Sequence, residues 1–213
     1  MKTQEPFDGR MGQILRKACA VFAAKGYHHA SVRDIGAATG LSPAGLYYYF
    51  RSKEELLFLI QDHCLEALLQ QILEETEAEA CPEDRLRGII RAHIKFCTGH
   101  WEEMKVLAHD FEALSGEPRR NVLRRMHAYK SLVDRTLEEI RPQRNRAELR
   151  ASTFALFGML NWVHTWYRPE RDLPVDCLAE HFSHLFLRGF LSRGMEGSLI
   201  PPREPGPAVP APL

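Results

Sequence analysis

Residues 31–53 constrain the fold of this chain more than any other segment. Ser31 stands where it can cap a short helix, with Asp34 in the capping-box position three residues later. Gly40 then supplies a turn, and Ser42, followed directly by proline, starts a second short helix. Two short helices joined by a tight glycine turn are typical of a helix-turn-helix motif.

The second of these helices has side chains suited to contact with DNA. Tyr47, Tyr48 and Tyr49 are consecutive and would cover most of a helix circumference, so some of the rings must face outward. Phenolic hydroxyls can reach phosphates and base edges. The small residues Ala44 and Gly45 let the helix backbone approach a groove closely. The alternative interpretation is a structural cluster of tyrosines at a helix corner.

Charge is unevenly divided along the chain, although the formal net charge is zero. Residues 1–56 contain eight Lys and Arg against five Asp and Glu, whereas the remainder carries an excess of three acids. The basic excess therefore accompanies the candidate motif, where Lys53, at the start of the next helix, can bind a phosphate together with free backbone N–H groups. Because the excess is modest, a monomer would bind phosphates weakly, and we expect dimerisation.

The rest of the chain has helical periodicity and no strand pattern, so the predicted class is all-α. We expect an N-terminal helix-turn-helix domain over 1–56, a larger helical domain over 57–198 and a disordered proline-rich tail over 199–213. The predicted helices cover 12–25, 31–39, a short segment from 42, 53–76, 82–99, 101–114, 119–140, 146–167 and 174–193.

Residues 14–57 resemble the N-terminal domain of the TetR (tetracycline-repressor) family of transcriptional regulators. The matching stretches are 20–27, 31–42 and 45–57. The family usually has Thr at the position of Ser31 and commonly His at the position of Tyr49. A phenol in place of the imidazole keeps a hydrogen-bonding group but can change the preference for operator sequence.

The resemblance implies a role for each matching residue. Contacts to the phosphates or bases of a double-stranded operator are expected from Ser31, Arg33, Ser42, Ala44, Gly45, Tyr47, Tyr48, Tyr49 and Lys53. The core of the small domain is expected to contain Phe22, Ile35, Ala38, Leu41, Leu46 and Phe50. The larger domain is expected to bind a small-molecule effector, so that the protein acts as a ligand-responsive repressor and not as an enzyme.

Two long helices near the C-terminus carry more large apolar residues than one buried stripe requires. These are the predicted helices over 146–167 and 174–193. We expect the surplus to pack against a second copy as a two-fold four-helix bundle, which would place two DNA-binding domains on a near-palindromic site. The alternative is a monomer that buries both helices.

The segment 157–169 resembles a subgroup of TetR regulators that respond to acyl-CoA thioesters and control fatty-acid, steroid or aromatic-acid degradation. Trp162 and Trp166 are predicted to lie one helical turn apart on one face, and an aromatic pair with a nearby guanidinium suits adenine and its phosphates. Ordinary core or interface packing, or a hydrophobic drug-like or aromatic ligand, are the alternatives. The candidate ligand-binding residues are Phe96, Trp101, Met104, Phe111, Asn161, Trp162, Trp166 and Arg168.

Other functional classes lack their sequence signatures. The chain has no run of 18 apolar residues and no secretion signal, so we expect a cytoplasmic protein with reduced cysteines and no membrane span. His181 and His184 are spaced for a metal but have no identifiable third ligand, and Cys97 with His100 has no acid partner. We therefore expect no metal, no cofactor and no catalytic residues.

Overall fold

The computed structural model describes residues 9–192, and all regular elements within them are helical, which confirms the predicted all-α class. The predicted tail over 199–213 lies outside the described residues. The helices are α1 (Gly9–Lys25), α2 (Val32–Thr39), α3 (Pro43–Leu46), α4 (Lys53–Thr76), α5 (Pro82–Gly99), α6 (Trp101–Asp110), α7 (Gly116–Ile140), α8 (Arg146–Asn161), α9 (Val163–Trp166) and α10 (Val175–Leu191), with a 3₁₀ turn at Phe111–Ala113 after α6.

The predicted turn between α2 and α3 is confirmed in detail. Ser31 Oγ accepts a hydrogen bond from the Asp34 backbone N–H, and the Asp34 carboxylate accepts one from the Ser31 N–H at 2.8 Å. Gly40 ends α2 with a φ of 74°, a left-handed conformation that favours glycine. A Cβ on Gly36 would lie 2.7 Å from the carbonyl oxygen of Leu41, so the turn packs this closely only with glycine there.

The core of the small domain differs from the expectation at two positions. Phe22, Ile35, Leu46 and Phe50 are buried as predicted, whereas Ala38 is exposed and Leu41 is only half-buried. The reason lies in the face that α2 presents to α1 and α3. That face buries Thr39, whose polar hydroxyl is satisfied by donating to the Ile35 carbonyl at 2.8 Å.

Helix α4 joins the two domains and packs against α1, α5, α6 and α7. By length and composition it could cross a membrane, since an 18-residue stretch of it has a mean hydropathy of 1.2. One face of it belongs to the protein core, where Leu56, Leu57, Ile60 and Ile72 are fully buried, although Leu73 is 52% exposed. A helix with this burial is a core helix, and its hydropathy is explained by packing.

The predicted single helix over 146–167 is divided at Trp162 into α8 and α9; Trp162 is 63% exposed, whereas Trp166 lies against Phe182. The Thr165 backbone N–H donates to the Trp162 carbonyl at 3.1 Å, three residues back, where a continuous α-helix would use the Asn161 carbonyl. Asn161 O instead accepts a hydrogen bond from His164 Nδ1 at 2.7 Å. Side-chain donors thus compete with the helical hydrogen bonds at this point.

Candidate DNA-binding surface and effector cavity

The candidate recognition helix α3 is a single turn, and the three tyrosines follow it. Ser42 Oγ accepts a hydrogen bond from the Gly45 N–H at 3.1 Å, and Ala44 is exposed beside it. Tyr47 is 52% exposed and Tyr48 is 86% exposed, so these rings face outward as expected. The expectation that the tyrosines lie on the second helix is wrong, because α3 ends at Leu46 and they form the turn that follows it. Gly45 is half-buried, as is Tyr49, whose ring packs edge-on against that of Tyr48.

Ser31 and Arg33, at the start of α2, are both exposed. The Ser31 hydroxyl already donates to Asp34 Oδ2 at 2.7 Å, so its role in the folded domain is first that of a helix cap. The Lys25 ammonium, 2.5 Å from Asp34 Oδ1, and the donors of Ser31 hold the pKa of the Asp34 carboxyl well below its usual range. These contacts connect the end of α1 to the start of α2.

Lys53 has a structural role that its sequence position did not reveal. Its ammonium donates to the carbonyl oxygens of Tyr27 and Ala30, at 2.8 and 2.9 Å, and lies 4.3 Å from the centre of the Tyr27 ring. An ammonium has three N–H donors, so one is left for a phosphate. Lys53 thus fixes the loop between α1 and α2 to the start of α4.

Hydrogen bonds accepted by the carboxylates of Asp110 and Glu54 connect the small domain and the start of α4 to the larger domain. The Tyr27 backbone N–H donates to Asp110 Oδ1 of α6 at 3.2 Å. Glu54 Oε1 accepts hydrogen bonds from both the N–H and the hydroxyl of Ser115, at 2.8 and 2.7 Å, just before α7. A displacement of α6 or α7 would therefore act on the loop between α1 and α2 and on the start of α4.

The larger domain contains a cavity of about 650 Å³ bordered by α5, α6, α9 and the segment after α9. Two of the predicted ligand-binding residues, Trp101 and Arg168, line it. Lys105, His109 and His164 also line it and were missed, because single basic residues on amphipathic helices carry no sequence signal. Its complete lining is Cys97, Thr98, Trp101, Lys105, His109, His164, Thr165, Tyr167, Arg168, Pro169 and Glu170.

A second cavity of about 450 Å³ shares His109 and His164 with the first. Its other lining residues are mostly apolar or small and include the predicted Asn161 and Trp162: Ala108, Phe154, Phe157, Gly158, Asn161 and Trp162. The first cavity carries Lys105 and Arg168 together with the acidic Glu170, and the rings of His109 and His164, 6.5 Å apart, line both cavities.

Four predicted ligand-binding residues lie elsewhere. Phe96 and Met104 are buried in the core, and Phe96 stacks against His100. Phe111 packs beneath the Arg119 guanidinium, 4.5 Å from it, and Trp166 lies against Phe182. All four residues are apolar, as the prediction required, but in the folded chain they pack against other side chains and line neither cavity.

Burial disfavours the charged forms of two ionisable groups at the cavities. Burial raises the pKa of the Cys97 thiol to about 12, so a thiolate is disfavoured. Burial also lowers the pKa of His164, which keeps its imidazole neutral at pH 7. Within residues 9–192 no group of three His, Cys, Asp or Glu side chains is placed to hold a metal ion.

An apolar groove runs between α8 and α10 on the outer side of the larger domain. Met159, Leu185 and Phe186 contribute to it, and Leu185 is 52% exposed. Gly158 and Gly189 lie exposed on the same two helices, and a Cβ at either position would meet nothing within 4 Å among the described residues.

Comparison with known proteins places both domains in one family. Residues 14–60 match the family described as "Bacterial regulatory proteins, tetR family", and residues 79–190 match "Tetracyclin repressor-like, C-terminal domain". The chain is 26% identical over 192 residues to the HTH-type transcriptional repressor KstR2 of Mycobacterium tuberculosis H37Rv, covering 88% of this chain and 96% of that protein. It is 22% identical over 193 residues to the fatty acid metabolism regulator protein of Bacillus subtilis, covering 89% and 98%.

Solved structures give the same result. A TetR-family transcriptional regulator from Bordetella parapertussis superposes with a TM-score of 0.81 at 28% identity, covering 87% of this chain and 97% of that one. AibR, solved in complex with isovaleryl coenzyme A and operator DNA, superposes with a TM-score of 0.76 at 27% identity, covering 83% and 97%. The matching families are transcriptional regulators and not enzymes. The chain belongs to the TetR family of DNA-binding transcriptional regulators.

Proposed function

We propose that this regulator is a homodimeric repressor whose effector is an acyl-CoA thioester. The observation that carries the proposal is the pair of adjoining cavities, of which the first is bordered by Lys105 and Arg168 and the second by aromatic and small residues. A CoA thioester combines anionic phosphates and an adenine with an apolar acyl chain. Basic side chains beside Trp101 suit the first part, and the apolar compartment suits the second.

The relatives support this choice of effector. AibR binds isovaleryl coenzyme A, and the Bacillus relative is named as a regulator of fatty acid metabolism. A hydrophobic drug-like or aromatic molecule in the same cavities is the second candidate, favoured by Trp101 being 50% exposed at the cavity wall.

Dimerisation is supported by the face that α8 and α10 leave uncovered. A glycine within a helix costs about 1 kcal/mol relative to alanine, and the exposed Gly189, which lines this groove, is explained if a helix of a second copy approaches closely there. We expect Leu185→Glu to convert the dimer to a monomer in analytical ultracentrifugation and to weaken operator binding strongly. As a DNA-binding regulator in a bacterial family, the protein would act in the cytoplasm.

The DNA contacts proposed from the sequence remain Ser31, Arg33, Ser42, Ala44, Gly45, Tyr47, Tyr48, Tyr49 and Lys53. In the switching step that we propose, the effector binds preferentially to a conformation in which the two DNA-binding domains no longer match the spacing of the operator. The movement would pass through α6 and α4, because α6 contributes cavity residues and also Asp110, which holds Tyr27.

The test is fluorescence anisotropy on a labelled operator duplex, titrated with acyl-CoA thioesters of several chain lengths. We expect one of them to change the operator affinity of the wild type, and Lys105→Ala with Arg168→Ala to require at least tenfold more thioester. Arg171→Ala is the matched control, since Arg171 lies on the same segment but does not line the cavity. No binding of any CoA thioester in calorimetry would overturn the proposed effector.

A further inference from the structure

A glycine of α8 lines the second cavity. Gly158 lies within the helix, where glycine is disfavoured relative to alanine, and a Cβ added to it would meet nothing within 4 Å among the described residues. Packing inside this chain therefore does not require a glycine at this position. The cavity supplies a reason for it, because a side chain on Gly158 would take up part of the space that this residue lines.

Two large aromatic side chains stand on either side of this glycine. Phe154 lies one helical turn before Gly158, and Trp162, the residue that ends α8, lies one turn after it, so that the three share a face of the helix. All three line the cavity, and both aromatic residues are at least half exposed. Eight residues of helix span about 12 Å, so the missing side chain leaves a gap between two rings.

Rings also make up most of the remaining lining. Five of the eight residues around this cavity carry an aromatic or imidazole ring: His109, Phe154, Phe157, Trp162 and His164. None of the described residues that line it is Leu, Ile, Val or Met, the side chains that pack against a flexible alkyl chain without a directional preference. Because aromatic rings attract one another in edge-on and offset arrangements, this lining favours a ring over a saturated chain.

Contacts outside the cavity hold two of these rings in place. The Phe157 ring packs edge-on against that of Tyr129, with 5.0 Å between the ring centres. The centre of the Phe154 ring lies 4.9 Å from the guanidinium carbon of Arg150. Side chains that are already ordered lose less conformational freedom when a ligand binds, so the cavity is prepared for its occupant.

We propose that the second cavity binds an aromatic ring of the effector, and that Gly158 is the specificity-determining residue that leaves room for this ring between Phe154 and Trp162. The inference rests on the proposed function for the thioester and adds the class of its acyl group, an aromatic one. An aromatic ring would interact with the edges or faces of the surrounding rings, whereas a saturated group would gain only the transfer of its apolar surface from water.

The first experiment compares phenylacetyl-CoA, cyclohexylacetyl-CoA and octanoyl-CoA, whose acyl groups have equal numbers of carbon atoms. Their affinities for the full-length protein are measured by calorimetry, with acetyl-CoA as the reference for the coenzyme. Hydrophobic transfer favours the two saturated groups, which have more apolar surface. We nevertheless expect phenylacetyl-CoA to bind about fivefold more tightly than either, which corresponds to the contribution of one aromatic pair. Equal or weaker binding of phenylacetyl-CoA would overturn the proposal.

Variants of the cavity wall test the role of the glycine. Gly158→Val should weaken the binding of phenylacetyl-CoA about tenfold and leave that of acetyl-CoA unchanged, because its added methyl groups occupy the place of the ring. Gly99→Val is the matched control, since Gly99 is also an exposed helical glycine with open space at its Cβ position but lines neither cavity. Trp162→Leu should abolish the preference for phenylacetyl-CoA over cyclohexylacetyl-CoA. Wild-type affinity for phenylacetyl-CoA in Gly158→Val would contradict the proposal.

Analytical ultracentrifugation distinguishes a ligand site from a contact between two copies of the chain. We expect Gly158→Val and Trp162→Leu to keep the oligomeric state of the wild type. Dissociation of either variant would assign this face of α8 to the subunit interface and would also overturn the proposal.

A second experiment separates the ring from the coenzyme. Benzyl alcohol and cyclohexylmethanol are titrated into the full-length protein with ¹⁵N-labelled tryptophan, and the indole resonance that is missing in Trp162→Leu is followed. We expect benzyl alcohol to shift this resonance and to bind about fivefold more tightly than cyclohexylmethanol. If no thioester binds while benzyl alcohol is still preferred, the ring site stands and the proposed effector is wrong. If the thioesters bind and alter operator affinity without a preference for the phenyl group, the effector stands and the ring site is wrong.

Discussion

The Asp110 carboxylate accepts a hydrogen bond from the backbone N–H of Tyr27, with 3.2 Å between Oδ1 and N. Asp110 is the last residue of α6 and follows His109, which lines both cavities. Tyr27 belongs to the loop that Lys53 fixes to the start of α4. A single peptide bond therefore separates a cavity wall from a contact with the DNA-binding domain.

Removal of this contact should weaken the coupling between effector and DNA. We expect Asp110→Ala to reduce, by severalfold, the change in operator affinity that the effector causes, because α6 can then move without carrying Tyr27 with it. The loss of one hydrogen bond should also lower the free energy of unfolding by about 1 kcal/mol. Operator anisotropy with and without effector measures the first quantity, and urea unfolding measures the second.

Glu112→Ala is the control for Asp110→Ala. Glu112 lies two residues further on and pairs with Arg119 at the surface; no hydrogen bond or ion pair to the small domain is seen for it within residues 9–192. In this variant the effector should change the operator affinity as much as it does in the wild type. A full effector response in Asp110→Ala would show that the coupling runs by another route.

Tyr47 should matter for DNA binding and little for stability. Its ring is 52% exposed, so Tyr47→Ala should leave the unfolding midpoint within a few degrees of the wild type while weakening operator binding about tenfold or more. Tyr47→Phe keeps the ring and loses the hydroxyl, so its operator affinity should lie between those of the wild type and Tyr47→Ala. Gel retardation with thermal unfolding separates these effects, and unchanged operator affinity in Tyr47→Ala would rule out the proposed contact.

Lys53 should behave differently from Tyr47. Lys53→Ala removes two hydrogen bonds to carbonyl oxygens and the contact with the Tyr27 ring, so we expect the free energy of unfolding to fall by about 2 kcal/mol, together with the loss of operator binding. Chemical denaturation of Lys53→Ala and Tyr47→Ala in parallel compares their free energies of unfolding. Wild-type stability in Lys53→Ala would contradict the structural role.

His93 should make the protein sensitive to mild acid. Its pKa falls from 6.5 to about 3 on burial, so below pH 6.5 the unfolded chain binds a proton that the folded chain does not. Its stabilising contribution is therefore complete above pH 6.5 and is lost as the pH falls towards 3. Between pH 6.5 and 5 the wild type should lose about 2 kcal/mol more of its free energy of unfolding than His93→Gln. Urea titrations at a series of pH values give the free energy of unfolding of each protein. The same dependence of this free energy on pH in the wild type and in His93→Gln would contradict the prediction.

Local sequence determined the small domain almost completely. The caps Ser31 and Ser42, the left-handed Gly40 and the sequence of helices all depend on interactions within a few residues, and these are the interactions that a sequence pattern records. The exposed positions of Tyr47 and Tyr48 followed from their being consecutive. The burial of Thr39 in preference to Ala38 could not be predicted from the sequence, because it depends on the packing of α2 against its neighbours.

The effector cavity was decided by tertiary structure. Trp101 and Arg168 are 67 positions apart in the sequence, and only the packing of α6 beside α9 brings them to one wall with Lys105 and His164. Trp162 is 63% exposed whereas Trp166 lies against Phe182, a difference that helical spacing alone did not predict. The second role of Lys53 likewise depends on carbonyl oxygens 23 and 26 residues away. Local hydrogen bonds and propensity can be inferred from sequence, whereas a cavity is formed by side chains from distant segments whose positions depend on the packing of the whole domain.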